Sequence, residues 1–89
     1  MAWQINFSPG AERQLGKLDR PVAQRIVKFL RERVAQLDDP RAIGEPLHGS
    51  DLGEFWRYRV GDWRLICEIQ DRQILITVLS VGNRREVYR

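Results

Sequence analysis

The segment FWRYRVGDWRLI, residues 55–66, constrains the fold more than any other part of this chain. Two runs that alternate apolar and polar residues flank Gly61-Asp62, the pattern of two strands joined by a two-residue turn. Such a turn sets the register: 60 faces 63, 59 faces 64, 58 faces 65 and 57 faces 66. Successive strand side chains point to opposite faces. Trp56, Tyr58, Val60, Trp63, Leu65 and Cys67 therefore share one face, the candidate core. Arg57, Arg59 and Arg64 share the other, with Arg59 directly across from Arg64. Like charges opposed on paired strands destabilise a sheet. Glu68 or Glu54 could neutralise them locally; otherwise this face predicts an anion that arrives from outside.

The rest of the chain supplies what the hairpin needs to bury its apolar side. Trp3, Ile5 and Phe7 alternate with Gln4 and Asn6, a short strand. Ser8-Pro9 reads as an N-cap with proline at the first helical position. Ala11, Leu15 and Leu18 mark a short amphipathic helix. A second helix is expected from about Arg20 to Leu37, with Asp19 as its N-cap and Val22, Ile26, Leu30, Val34 and Leu37 as its apolar stripe, Phe29 beside it. Its other face, with Arg25, Lys28, Arg31, Glu32 and Arg33, reads as a solvated surface. Asp38-Asp39-Pro40 stops it, and residues 38–53 read as a loop with room for one helical turn. Strands are expected at 54–60, 63–70 and 74–81, the last broken by Gly82-Asn83. Because ILITVLSV is apolar on both faces, that strand belongs in the interior of the sheet. The expected fold is a single α+β domain over residues 1–89, a two-layer β-α-α-β-β-β sandwich. Its mostly antiparallel four-stranded sheet has order 1-4-3-2, with both helices on one face.

Eighty-nine residues suffice for one modest core. A lone cysteine excludes an intrachain disulfide, and one histidine with one cysteine makes no structural zinc site. No metal or other cofactor is expected. The start of the chain lacks the basic and apolar regions of a signal peptide, and Ile74–Val81 is too short to span a bilayer. No membrane contact and a cytoplasmic location are expected. Charge is unevenly distributed: residues 1–54 carry eight Lys/Arg against eight Asp/Glu, whereas residues 55–89 carry seven arginines against four acids and hold the whole net charge of +3. Thirteen of the fifteen basic residues are arginine, which binds phosphate bidentately and stays charged when partly desolvated. The final segment VGNRREVYR adds Arg84, Arg85 and Arg89 around Tyr88. Arginines interleaved with an aromatic suit nucleic acid, guanidinium on phosphate and ring on an unpaired base. His48 and Cys67 read as a loop residue and a small buried hydrophobe.

These motifs carry a resemblance. The first strand, the helical pair, Leu47-x-Gly49, the hairpin W-R-Y-R-V-G-D-W-R-L and the ending S-V-G-N-R-R-E-V-Y-R together resemble the RelE-type toxins of the RelE/ParE superfamily, over nearly the whole chain. The resemblance implies the toxin of a type II toxin–antitoxin system: a ribosome-dependent messenger RNA endonuclease that cuts the codon in the A site without a metal. The ribose 2′-OH would attack its own 3′-phosphodiester, leaving a 2′,3′-cyclic phosphate and a 5′-OH. It implies catalytic roles for Arg57 and Arg59, for Arg64 and Arg84, and for Tyr88 stacked on the substrate nucleotide, with Arg85 and Arg89 as RNA contacts.

The implied partners are the ribosome, the messenger RNA in its A site, and a cognate RelB-like antitoxin, acidic and partly disordered when free. Operator DNA would be reached only through the antitoxin complex. Two features depart from the pattern. Some members carry lysine where Arg57 and Arg59 stand, and guanidinium is a poor general base. This implies more reliance on electrostatic stabilisation and on the ribosome's positioning. The sequence also ends one residue past Tyr88, where some relatives continue into a further helix. The competing readings are a ParE-type inhibitor of DNA gyrase without nuclease chemistry, and a non-catalytic nucleic-acid-binding module.

Overall fold

A computed structural model describes residues 2–47 and 55–83. Strand β1 (Gln4–Phe7) leads into helices α1 (Pro9–Gly16) and α2 (Arg20–Phe29), the second continuing as a π-helical segment, Leu30–Val34. A 3₁₀ turn (Pro40–Ile43) precedes the two-residue strand β2 (Glu45–Pro46). Strands β3 (Phe55–Val60) and β4 (Trp63–Gln70) form the hairpin, and a second 3₁₀ turn (Asp71–Gln73) leads to β5 (Leu75–Asn83). The sheet is mixed and five-stranded, in the order β1-β5-β4-β3-β2, with β1 parallel to β5 and the other pairs antiparallel.

The four expected strands thus gain a fifth at the edge. Glu45 and Pro46 pair with Arg57 and Trp56, a ladder too short to leave a periodic signal in sequence. Every pairing expected within the hairpin is present, from Val60↔Trp63 to Arg57↔Ile66, including Arg59↔Arg64. Gly61 turns the chain at φ 61°, a conformation glycine adopts without steric penalty and the one required at the first position of a type II′ turn.

Ser8 caps α1 as expected, its Oγ accepting from the Ala11 N–H at 3.1 Å. The same hydroxyl donates to the Leu79 carbonyl at 3.2 Å. Leu79 is the extra residue of a bulge, since Ile66 faces Ser80 while Cys67 faces Val78. Gln14 Oε1 accepts from the Val81 N–H at 2.7 Å, so α1 satisfies backbone groups beside the irregularity. The bulge also changes parity along β5. Ile76 and Val78 enter the core before it, Val81 after it.

Two expectations are corrected here. β5 does not stop at Gly82-Asn83: both stay paired, with Arg64 and Trp63, because the parity change puts Gly82 on the open face, where no side chain is needed. The second helix is not α-helical to Leu37. At Leu30 it widens, the Ala35 N–H bonding to the Leu30 carbonyl at 2.8 Å. The wider turn brings Val34 and Ala35 into the core together, and the Ala35 carbonyl accepts from the Trp3 N–H at 2.8 Å. Asp19 occupies the N-cap position of α2 without a side-chain capping bond.

The core lies between the helices and one sheet face. Ala11, Ile26, Leu30 and Val34 meet Tyr58, Val60, Leu65, Cys67, Ile69, Ile76, Val78 and Val81, all buried. Burying each large aliphatic side chain contributes roughly 1.5–3 kcal/mol. Trp3, Trp56 and Trp63 pack partly buried against this cluster, and Cys67 is inside it. Among the described residues no helix is long and apolar enough to cross a membrane.

Candidate anion site on the open sheet face

The sheet face turned away from the helices is built in rows. One row runs Glu45, Arg57, Ile66, Ser80; the next runs Arg59, Arg64, Gly82. The register therefore brings Arg57, Arg59 and Arg64 together. They are not equivalent.

Arg64 is the anchored member, only 6% exposed. Its Nη1 donates to the carbonyls of Gly61 and Trp63, each at 3.2 Å. These bonds fold the side chain back over its own turn. Gly82, its partner across β5, presents no side chain beside it. The Arg64 Nε is buried and has no partner among the described residues, so a charged donor is already desolvated at this point. Arg57 is partly covered, with 16% of its side chain exposed, and Arg59 is open at 57%. Arg59 also lines a groove of about 430 Å³ with Arg25 and Lys28 of α2 and with Glu32 and Arg33 of the π segment.

Among the described residues the local neutraliser is not Glu68. Glu68 faces Phe55 and Thr77 in the neighbouring row, and Glu54 lies outside the described residues. It is Glu45, which sequence reasoning left inside a loop. Its Oε2 accepts from Arg57 Nη2 at 2.6 Å, and its Oε1 lies 3.3 Å from Arg59 Nε. The Arg57 hydrogen bond, with the charges of Arg57, Arg59 and Arg64 behind it, holds the Glu45 carboxyl below its ordinary range.

The segment carrying Glu45 is fastened from beneath. The buried Tyr58 hydroxyl donates to the Pro40 carbonyl at 2.7 Å, and its ring meets Phe29 edge-on at 6.4 Å. Arg41 grips Asp71 at 3.1 and 2.7 Å through both Nη atoms and lies over the Trp56 ring at 5.9 Å. Gly44 crosses the Tyr58 ring so closely that a Cβ there would stand 2.9 Å from Cε1.

Chemically, among the described residues the face offers three guanidinium groups, Arg64 the most buried, with the Glu45 carboxylate between Arg57 and Arg59. That arrangement suits a tetrahedral oxyanion. Arg84, Arg85, Tyr88 and Arg89, and with them His48, lie outside the described residues. Cys67 lies on the core side, where burial pushes its thiol far above the ordinary range, so it is no nucleophile for this face.

Comparison with known proteins agrees with this architecture. A family model described as the ParE toxin of the type II toxin–antitoxin system parDE matches residues 5–88. The toxin RelG of Mycobacterium tuberculosis is 29% identical over 89 residues, covering 100% of this chain and 99% of that protein. The mRNA interferase toxin RelE of Escherichia coli K12 is 30% identical over 90 residues, covering 99% and 92%. In the crystal structure of the RelBE2 toxin–antitoxin complex from M. tuberculosis, one chain superposes with a TM-score of 0.83 at 26% identity, covering 97% of this chain and 95% of that one. With its sheet order, helical layer and arginine-bearing hairpin in place, the chain belongs to the RelE/ParE superfamily of type II toxin–antitoxin toxins and is of the RelE type.

Proposed function

We propose that this toxin is a ribosome-dependent messenger RNA endonuclease that uses its open sheet face to bind and activate the scissile phosphodiester. The carrying observation is the arginine cluster, with Arg59 directly opposed to Arg64 and Arg57 one row away. A relative named as an mRNA interferase at 30% identity supports the same reading.

In the proposed reaction the 2′-oxygen forms a bond to phosphorus as the bond from phosphorus to the 5′-oxygen breaks. The 2′-OH proton leaves, and the departing 5′-oxygen gains one. Negative charge accumulates on the non-bridging oxygens, and fixed cations at that point lower the barrier without reorganising. Arg64, locked over its turn, is placed for that role, and Arg57 and Arg59 orient the phosphate. Guanidinium is a poor general base, so the three act as clamps. Following the resemblance, Arg84 would complete the clamp, Tyr88 would stack on the substrate nucleotide, and Arg85 and Arg89 would contact RNA. The toxin would act in the cytoplasm, where its ribosomal target is, and a cognate antitoxin would hold it inactive. The RelBE2 complex among its structural neighbours supports that partner.

Primer extension on messages translated by programmed ribosomes tests the proposal. Cuts inside codons, ending in cyclic phosphate, are expected. Intact messages in the presence of folded toxin would refute it. One observation favours a second reading, inhibition of DNA gyrase: the matching family model carries the ParE description. A supercoiling assay with purified gyrase separates the two, and the nuclease reading predicts no inhibition.

A further inference from the structure

Glu45 is the carboxylate in contact with this arginine cluster among the described residues, and the proposed reaction leaves it idle. A carboxylate among the cations of a phosphate site repels the ligand and occupies its donors. Yet several independent features hold it there. It stands directly opposite Arg57 in the ladder, and Gly44 lets the chain lie against the Tyr58 ring. The Tyr58 hydroxyl ties down Pro40 at the start of the segment, and Pro46 follows with a fixed φ.

We propose that Glu45 is a resident stand-in for the scissile phosphate: its two oxygens hold Arg57 and Arg59 in the substrate-free protein and give way when a phosphodiester enters. The inference rests on reading this face as a phosphate site. Carboxylate and phosphate oxygens engage a guanidinium in the same geometry, so exchange leaves both arginines satisfied before and after. Without substrate Glu45 also offsets the repulsion among three cations, two of which, Arg57 and Arg64, are largely desolvated. Glu45 is a positioning residue, and its effect is selective. A loose anion must compete with a tethered carboxylate, whereas a phosphodiester presented by other contacts displaces it.

The test is a titration of ¹⁵N-labelled protein with inorganic phosphate, read at the arginine Nε–Hε resonances, with a thermal melt as the folding control. Glu45→Gln is expected to bind phosphate about fivefold more tightly than wild type, the scale of one exposed charge pair. Glu45→Asp keeps the charge and is expected to bind as weakly as wild type. A merely structural Glu45 predicts the opposite sign, because arginines released from it would bind phosphate less well. Equal or weaker binding by folded Glu45→Gln overturns the inference while leaving the phosphate site standing. Resonances of Arg57, Arg59 and Arg64 that stay unmoved in both proteins overturn the phosphate site, and the inference falls with it.

Discussion

Replacing Gly44 by alanine tests how the edge of the site is built. Its backbone, at φ −104° and ψ 176°, is extended and open to any residue, so any penalty comes from packing alone. An added Cβ would lie 2.9 Å from Tyr58 Cε1, 3.1 Å from Cζ and 3.4 Å from the Arg57 carbonyl oxygen. The ring cannot withdraw cheaply: Tyr58 is 1% exposed and its hydroxyl is held by Pro40. Overpacking of this kind costs about 1–3 kcal/mol. Against it stands a gain of about 0.4–1 kcal/mol from stiffening the unfolded chain. At the midpoints of these ranges Gly44→Ala should therefore destabilise by about 1.3 kcal/mol. Gly16 is the matched control, because a Cβ there meets nothing within 4 Å and the residue lies within α1. Gly16→Ala should stabilise by about 0.5–1 kcal/mol. Urea denaturation midpoints measure both. At about 4–8 °C per kcal/mol for a domain of this size, melting temperatures should move apart visibly, in opposite directions. A neutral or stabilising Gly44→Ala would refute the close crossing over Tyr58, and with it the account of how Glu45 is positioned.

Other consequences can be checked on the same footing. Tyr58→Phe removes a buried hydrogen bond and strands the Pro40 carbonyl, so it should cost about 1–3 kcal/mol in urea unfolding. Glu45 and Asp71 have pKa values lowered in the folded protein, chiefly by hydrogen bonds from Arg57 and Arg41. Groups with depressed folded pKa values stabilise fully above their ordinary values, 4.5 and 3.8, and lose that contribution as pH falls below them. Acid titration of stability should therefore show a steeper loss below these values in wild type than in the Glu45→Gln, Asp71→Asn double variant.

Much of this was legible in the residues because the hairpin dictates itself. Gly61-Asp62 allows one register, and alternation then places Arg57, Arg59 and Arg64 on one face and Tyr58, Leu65 and Cys67 on the other. The anchoring of Arg64 was not legible, since it depends on two carbonyls of the turn rather than on parity. Glu45 was missed for a different reason. Two residues between a glycine and a proline carry no period, and only the Arg57 ladder reveals them as a strand. The bulge at Leu79 was hidden because β5 is apolar on both faces, so a parity change leaves no trace in its pattern. The π segment looked like ordinary helix because Ile26, Leu30 and Val34 keep a spacing of four across it.

The central claim is that the arginine face activates a phosphodiester, and a single-turnover cleavage rate on programmed ribosomes tests it most directly. Arg59→Ala, at an exposed position, should fold as wild type does, and Arg64→Ala can be compared once a melt shows it folded. Removing one such donor should slow cleavage about 10²–10³-fold, a loss of about 2.7–4 kcal/mol of transition-state stabilisation. Cleavage at the wild-type rate by both folded variants would contradict the account.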